Sequence, residues 1–277
     1  MIIETTKHDW TFDSTEDVLD FCDTVTSEKH EQMMIKQESS FNKFSWQETI
    51  EHLKHGFTTE KMLYEKDKLT NLVKEELTKL GIKYEVTGDY LDIGAYLSGQ
   101  PECFASFDYF PEDKPELNIV VNLSKSAYVE PYLVENRGIA IASLIEVLKN
   151  TYNIKCFLVK ATEYMGTNCF FRFNVNISGY ASFNQLMTYV GHTGFYRRVC
   201  FTIMERMFDR RSCQNDSYGR PIDIDNFDKT KTLYFKAMKD DVAVKNDYDT
   251  PERSKKTVLK IVNDLKENKE KKLFKYL

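Results

Sequence analysis

Apolar and polar residues change rhythm along this chain, and the changes divide it into three stretches. Up to about residue 82 the apolar positions recur at helical spacing. Asp13-Ser14 precedes Glu16-Asp17-Val18-Leu19-Asp20-Phe21, with acids in the first turn where the helix dipole favours them. Ser45-x-x-Glu48 carries a capping-box signature ahead of Ile50 and Leu53, and Gly56 ends that helix. Between Thr59 and Leu80, Met62, Leu63, Leu69, Leu72, Val73 and Leu77 return every three or four positions, and Gly81 stands where a left-handed cap is expected. The pattern predicts a helical N-terminal region over 1–82, packed on a core that follows.

From Lys83 the period shortens to two. Lys83-Tyr84-Glu85-Val86-Thr87 alternates as a half-buried strand does, and Leu117-Asn118-Ile119-Val120-Val121-Asn122 reads as a buried strand. Asn136 to Lys149 is a helix with an almost wholly apolar surface, and Ile154 to Val159 returns as a strand. This order predicts a βαβ unit, a parallel pair with a right-handed crossover. Cys169 to Ile177 is a further strand, with helices at Phe183 to Val190 and Phe195 to Phe208. The α/β domain is thereby expected over 83–250. A last amphipathic helix, about Glu252 to Phe274 within 251–277, carries Val258, Leu259, Ile261, Val262 and Leu265 opposite its lysines.

Composition narrows the class. Hydrophobic residues at 42% and charged residues at 29% are the balance of a globular chain, not a disordered one. The most apolar stretch, Gly138 to Leu148, is interrupted by Ser143 and Glu146 and is far shorter than a bilayer span. The first residues lack a basic flank with an apolar run, and the six scattered cysteines form no CxxC pair. Reduced thiols and a cytoplasmic location are the expectation, with no membrane contact. Charge is uneven. Pro251 to Leu277 holds nine Lys/Arg against four Asp/Glu, leaving the preceding 250 residues at net −10. A basic tail on an acidic body marks either a polyanion-binding segment or a solvated helix face.

One loop invites a metal reading. Asn122-Leu123-Ser124-Lys125-Ser126 follows a buried strand and precedes the crossover helix. It resembles the Asp-x-Ser-x-Ser loop of von Willebrand factor A domains. The resemblance, over Leu117 to Val159, implies a three-layer, Rossmann-like α/β sheet, to which the periodicity adds N-terminal helices and a closing basic helix. It also implies a divalent ion such as magnesium on the aspartate and both serines. Here Asn122 replaces the aspartate and Lys125 adds a positive charge beside it. The expectation is a degenerate site at Asn122, Ser124 and Ser126, with no cofactor, whose serines bond backbone groups instead.

A second segment, Tyr90 to Phe104, sets two glycines, a proline and an acid among large apolar residues. Its Asp-x-Gly-Ala-Tyr-x-x-Gly-x-Pro-Glu-Cys block, with the helix led by Arg137-Gly138, is similar to a family of poorly characterised bacteriophage proteins. That resemblance implies a viral origin, with the host cytoplasm as the place of action. Catalysis would have to come from the Gly94 to Cys103 block, with Cys103 as nucleophile and His192 in Gly191-His192-Thr193-Gly194 as base. No nucleotide-binding or common hydrolase motif accompanies them.

For nucleic acid the candidates are Arg172 among strand aromatics, then Arg197, Arg198, Arg206, Arg210 and Arg211 along the 195–211 helix, and Lys255 and Lys256 on the last helix. The combined expectation is a non-enzymatic, phage-encoded accessory protein that binds a macromolecular partner through its α/β domain. The alternative is a single-stranded DNA-binding transcription factor that brings a viral RNA polymerase to its template. An enzyme using the Gly94 to Cys103 block is the rival.

Overall fold

The computed structural model describes residues 2–6, 9–23, 44–78, 82–85, 90–91, 96–99, 104–107, 114–164, 167–175, 181–207, 220–224 and 231–271. It corrects the helical expectation at the start of the chain. Ile2–Thr6 (β1) and Asp9–Phe12 (β2) form an antiparallel pair, and β2 joins the main sheet alongside residues 172–173. Strands of five and four residues are too short to display a period, and the strand that draws β2 into the sheet lies 161 positions away (Thr11 opposite Arg172). Helices do follow. Thr15–Asp23 (α1) is capped by Ser14, whose hydroxyl accepts from the Asp17 N–H at 3.1 Å. Trp46–His55 (α2) opens with the Ser45/Glu48 capping box and stops at Gly56, whose φ of 88° suits glycine. Glu60–Thr78 (α3) buries Met62, Leu69 and Val73 on one face. The segment from Tyr90 to Phe104 lies largely outside the described residues. Around it Ile82–Glu85 (β3), Tyr90–Leu91 (β4) and Phe104–Phe107 (β5) make a small antiparallel sheet in the order β3-β5-β4.

The main sheet grows from Glu116–Asn122 (β6), the crossover helix Pro131–Leu148 (α4), Asn153–Tyr164 (β7) and Thr167–Val175 (β8). There follow Phe183–Val190 (α5), a π-helical turn Phe195–Val199, and Cys200–Met207 (α6). Arg220–Pro221 (β9), Thr232–Phe235 (β10), Asp241–Tyr248 (α7) and Pro251–Lys271 (α8) complete the described elements. The strand order is β1-β2-β8-β7-β6-β10. β10, β6 and β7 run parallel, as the βαβ reading requires, and β8 pairs antiparallel with β7. The chain is therefore a mixed α/β fold around a three-strand parallel core.

Pleating sorts the side chains. Leu117, Ile119, Val121, Ile154, Cys156, Leu158, Leu233 and Phe235 share one large core with residues from all eight helices. The opposite face holds a small cluster of Val120, Val159 and Tyr234, with Phe157 and Ile224 against it. α4 sits at the centre of the helical side, with α3, α5, α7 and α8 packed around it. Fourteen of its eighteen residues are buried, which is why its sequence is apolar on nearly every side. Gly138 lets it meet the end of α5. A Cβ there would stand 2.3 Å from the Gly191 Cα.

Two boundaries differ from expectation by five residues. α4 begins at Pro131, five residues before Asn136, because a proline in the first turn gives up no needed hydrogen bond. β7 runs five residues beyond Val159. Past the end of β6, the edge of β7 is taken over by β9, with Thr162 opposite Pro221 and Glu163 opposite Arg220. Among the described residues no helix is long and apolar enough to cross a membrane.

Candidate functional site

The carboxyl ends of parallel strands are where open α/β sheets usually present ligand sites. Here β6 stops at Asn122, and the loop beyond it is tied down by its own side chains. The Leu123 N–H donates to the Val159 carbonyl at 2.6 Å. Ser124 Oγ donates to the Ala161 carbonyl at 2.6 Å and accepts from the Ala161 N–H at 2.8 Å. One hydroxyl thus satisfies both backbone groups of a strand residue that has lost its β6 neighbour. Met238 clasps the other side of the loop, donating to the Ser124 carbonyl and accepting from the Ser126 N–H.

Asn122 uses both ends of its amide. Its Oδ1 accepts from the Ser124 N–H at 2.9 Å, and its Nδ2 donates to the Ile222 carbonyl at 2.8 Å and to the Tyr234 hydroxyl at 2.9 Å. A carboxylate could not make the two donations. The Tyr234 hydroxyl also accepts from the Ile224 N–H and donates to Asp223 Oδ1, and burial pushes it up to about 12. Asp223 in turn accepts from the Ala237 N–H at 2.9 Å and pairs with Lys239 at 2.6 Å.

Arg137 closes the same network from α4. Its Nη1 donates to the Asn122 carbonyl at 3.3 Å and its Nη2 to the Lys236 carbonyl at 2.8 Å. Both oxygens lie at the carboxyl ends of parallel strands, β6 and β10. The Arg137-Gly138 pair, in the second turn of α4, thereby has two structural purposes: the arginine caps strand ends, and the glycine permits a close helix crossing.

A hard cation does not fit these donors. Asn122 Oδ1 and Ser124 Oγ are committed to backbone groups, and Ser126 Oγ accepts from the Tyr128 N–H at 3.4 Å. Lys125, adjacent to both serines, is buried as well.

The nucleic-acid candidates scatter. Arg172 lies within β8, its backbone opposite Val159 on one side and Thr11 on the other. Arg197 and Arg198 diverge in the π-helical turn. Arg198 turns inward and donates to the Phe44 carbonyl at 2.6 Å, so it adds nothing to a surface row. Arg206 belongs to α6, while Arg210 and Arg211 lie outside the described residues. Lys255 and Lys256 are exposed on α8, which packs on α3, α4 and α7.

His192 is fully buried and structural in its contacts. Its Nδ1 accepts from the Phe195 N–H at 3.2 Å, which places its proton on Nε2, 2.9 Å from His52 Nδ1. Phe44 stacks on the ring at 4.1 Å and Phe57 meets it edge-on. Burial lowers the pKa of His52, with Glu48 and Glu51 opposing the shift. Cys103 lies outside the described residues.

Sequence reasoning missed Lys160. It continues the inward row Cys156-Leu158 on β7 and is buried against the helices. A lysine in phase with core positions was the available signal, and ending the strand at Val159 concealed it.

A domain of unknown function (DUF7192) matches residues 4–267. The chain belongs to that family. No curated protein and no solved structure matches this DUF7192 chain.

Proposed function

We propose that this DUF7192 protein is a non-enzymatic accessory factor that binds a macromolecular partner at the carboxyl end of its parallel strands. The observation that carries this is the closure of the Asn122 to Ser126 loop beside exposed apolar groups. The loop's hydrogen-bonding capacity is spent internally, while Tyr128, two residues past it, is 82% exposed and Val242 is 70% exposed at the start of α7. A von Willebrand A-type origin is supported by the β10-β6-β7 core, the α4 crossover and the position of the loop. Its second helical layer has no counterpart among the described residues. Phage origin and action in the host cytoplasm rest on the Tyr90 to Phe104 block and the Arg137-Gly138 helix.

Tagged protein expressed during infection tests this directly. One stoichiometric partner should be captured by the wild-type chain and lost with Tyr128→Glu at unchanged thermal stability. Capture indifferent to Tyr128 refutes the proposed face.

The single-stranded DNA reading, with recruitment of a viral polymerase, is favoured by one observation. Lys125, Lys160 and Arg197 gather at the same end of the sheet. Binding of a short oligothymidine that weakens steeply with salt would support it. The rival enzyme reading draws only on exposed Tyr96 and Leu97 within its block.

A further inference from the structure

Three basic side chains converge near the ends of β6 and β7. Lys125 follows the tied loop, and its ammonium turns inward to donate to the Val129 carbonyl at 2.9 Å. Lys160 points from β7 into the helical side, 3% exposed, with its ammonium 4.8 Å from the centre of the Phe201 ring. Arg197 descends from the π-helical turn onto the same ring, its guanidinium carbon 5.4 Å away. Their proximity is felt electrostatically. Burial, then Arg197 and Lys160, lower Lys125 to about 7, and Glu130 opposes this as the smallest influence. Burial lowers Lys160 to about 8, with Cys200 opposing the shift and Arg197 adding to it.

The second observation is independent of charge. Arg197 Nε and Nη2 are both shut off from solvent and hydrogen-bond to nothing. Native folds rarely leave such donors unpaired, and a bound ion or water is the usual reason when they do. These two nitrogens are also neighbours on one edge of the guanidinium. That edge is the fork that grips two oxygens of one oxyanion at once.

We propose that Lys125, Lys160 and Arg197 form a binding site for a phosphate-type oxyanion. Arg197 supplies the two-pronged edge, Lys160 and Lys125 supply compensating charge, and Phe201 forms an apolar wall beneath Arg197 and Lys160. A dianion suits the three cations better than a single carboxylate, because it offsets more of the charge held out of water. The site deepens the binding-protein reading and rests on it, since it names the chemistry of what would be recognised.

Inorganic phosphate is the probe, used on the full chain at pH 7 against chloride of equal ionic strength. Phosphate should raise the melting temperature saturably while chloride does not. Lys160→Met and Arg197→Gln should each abolish that response. Lys160→Met without phosphate should melt at or above the wild-type temperature, because an uncompensated buried cation has gone. This keeps the test decisive even where Arg197→Gln folds poorly. Equal responses to phosphate and chloride, or an undiminished phosphate response in Lys160→Met, would overturn the site. Competition by oligothymidine then separates sources. Displacement of phosphate assigns the site to a nucleic-acid backbone, and persistence assigns it to a small phosphorylated ligand, the site standing in both cases. Phosphate binding without any captured partner would sink the accessory-factor reading alone, and capture without phosphate binding would sink this site alone.

Discussion

Replacing Asn122 with aspartate changes one atom and should unravel the loop beyond β6. The amide Nδ2 donates to the Ile222 carbonyl and the Tyr234 hydroxyl, and the substitution removes both donations. The Ile222 carbonyl loses its side-chain donor, a loss worth about 1–3 kcal/mol where the group is cut off from water, whereas the Tyr234 hydroxyl keeps the Ile224 N–H and Asp223. A carboxylate would further bring a charge to a residue with no solvent exposure. Arg137, bonded to the main-chain oxygen of the same residue, offsets part of that charge. The expected net loss is about 2–4 kcal/mol, read from urea unfolding followed by the fluorescence of Trp10 and Trp46. The loss should depend on pH with a defined sign. Burial raises the new carboxyl above its unfolded value near ~3.9, so the unfolded state releases its proton first. The penalty therefore grows as pH rises through that window and is smaller at pH 4 than at pH 8. Asn122→Asp as stable as wild type, or stabilised by added magnesium, would mean that the loop is a latent cation site.

Gly138→Ala places a methyl group 2.3 Å from the Gly191 Cα and 3.0 Å from the Val190 carbonyl oxygen, and backbone cannot rotate aside. Overpacking of about 3 kcal/mol or more, less roughly 1 kcal/mol of improved helix propensity, should lower the melting temperature clearly. Ser124→Ala removes both hydrogen bonds to Ala161 and should cost about 1–3 kcal/mol by the same unfolding assay. For the histidine pair, burial holds His52 below its ordinary value near 6.5, so the unfolded chain takes up the proton first. Stability should fall as pH drops below that value, and His52→Gln should flatten the curve there; an unchanged curve refutes the pairing. Lys160 behaves in the opposite range, because its folded value of about 8 lies below the ordinary 10.5. Without an anion, Lys160 should contribute up to about 3 kcal/mol to a rise in stability between pH 8 and pH 10.5; Lys160→Met should reduce that rise, with Lys125, lowered to about 7, supplying the remainder.

Elements that announce themselves locally were legible. The Ser45/Glu48 box, the body of the apolar crossover helix from Asn136 and the strand from Leu117 stand where pattern placed them, since capping and burial act within a few residues. What escaped reading depends on distant partners. β1 and β2 are strands because β8 offers an edge, and nothing within twelve residues encodes that. The Asn122 loop was readable as a tie between serines and backbone, but its partners Ile222, Tyr234 and Ala161 are supplied by other segments. Arg197, Arg198 and Arg206 have spacings that sequence alone can place along one side of a helix. Adjacent residues on any helical turn point well apart, and Arg198 is a buried tie to the Phe44 carbonyl.

Both ends of the described chain are sewn into the same fabric. Phe12 near one end and Val258, Ile261, Val262 and Leu265 near the other belong to a single continuous core, so neither the opening strands nor the last helix is a detachable appendage. A deletion after Thr250, however convenient for assigning charge to a tail, would strip the cover from α3 and α4. Engineers seeking to dissect this protein should therefore neutralise surface lysines one at a time and leave the scaffold whole.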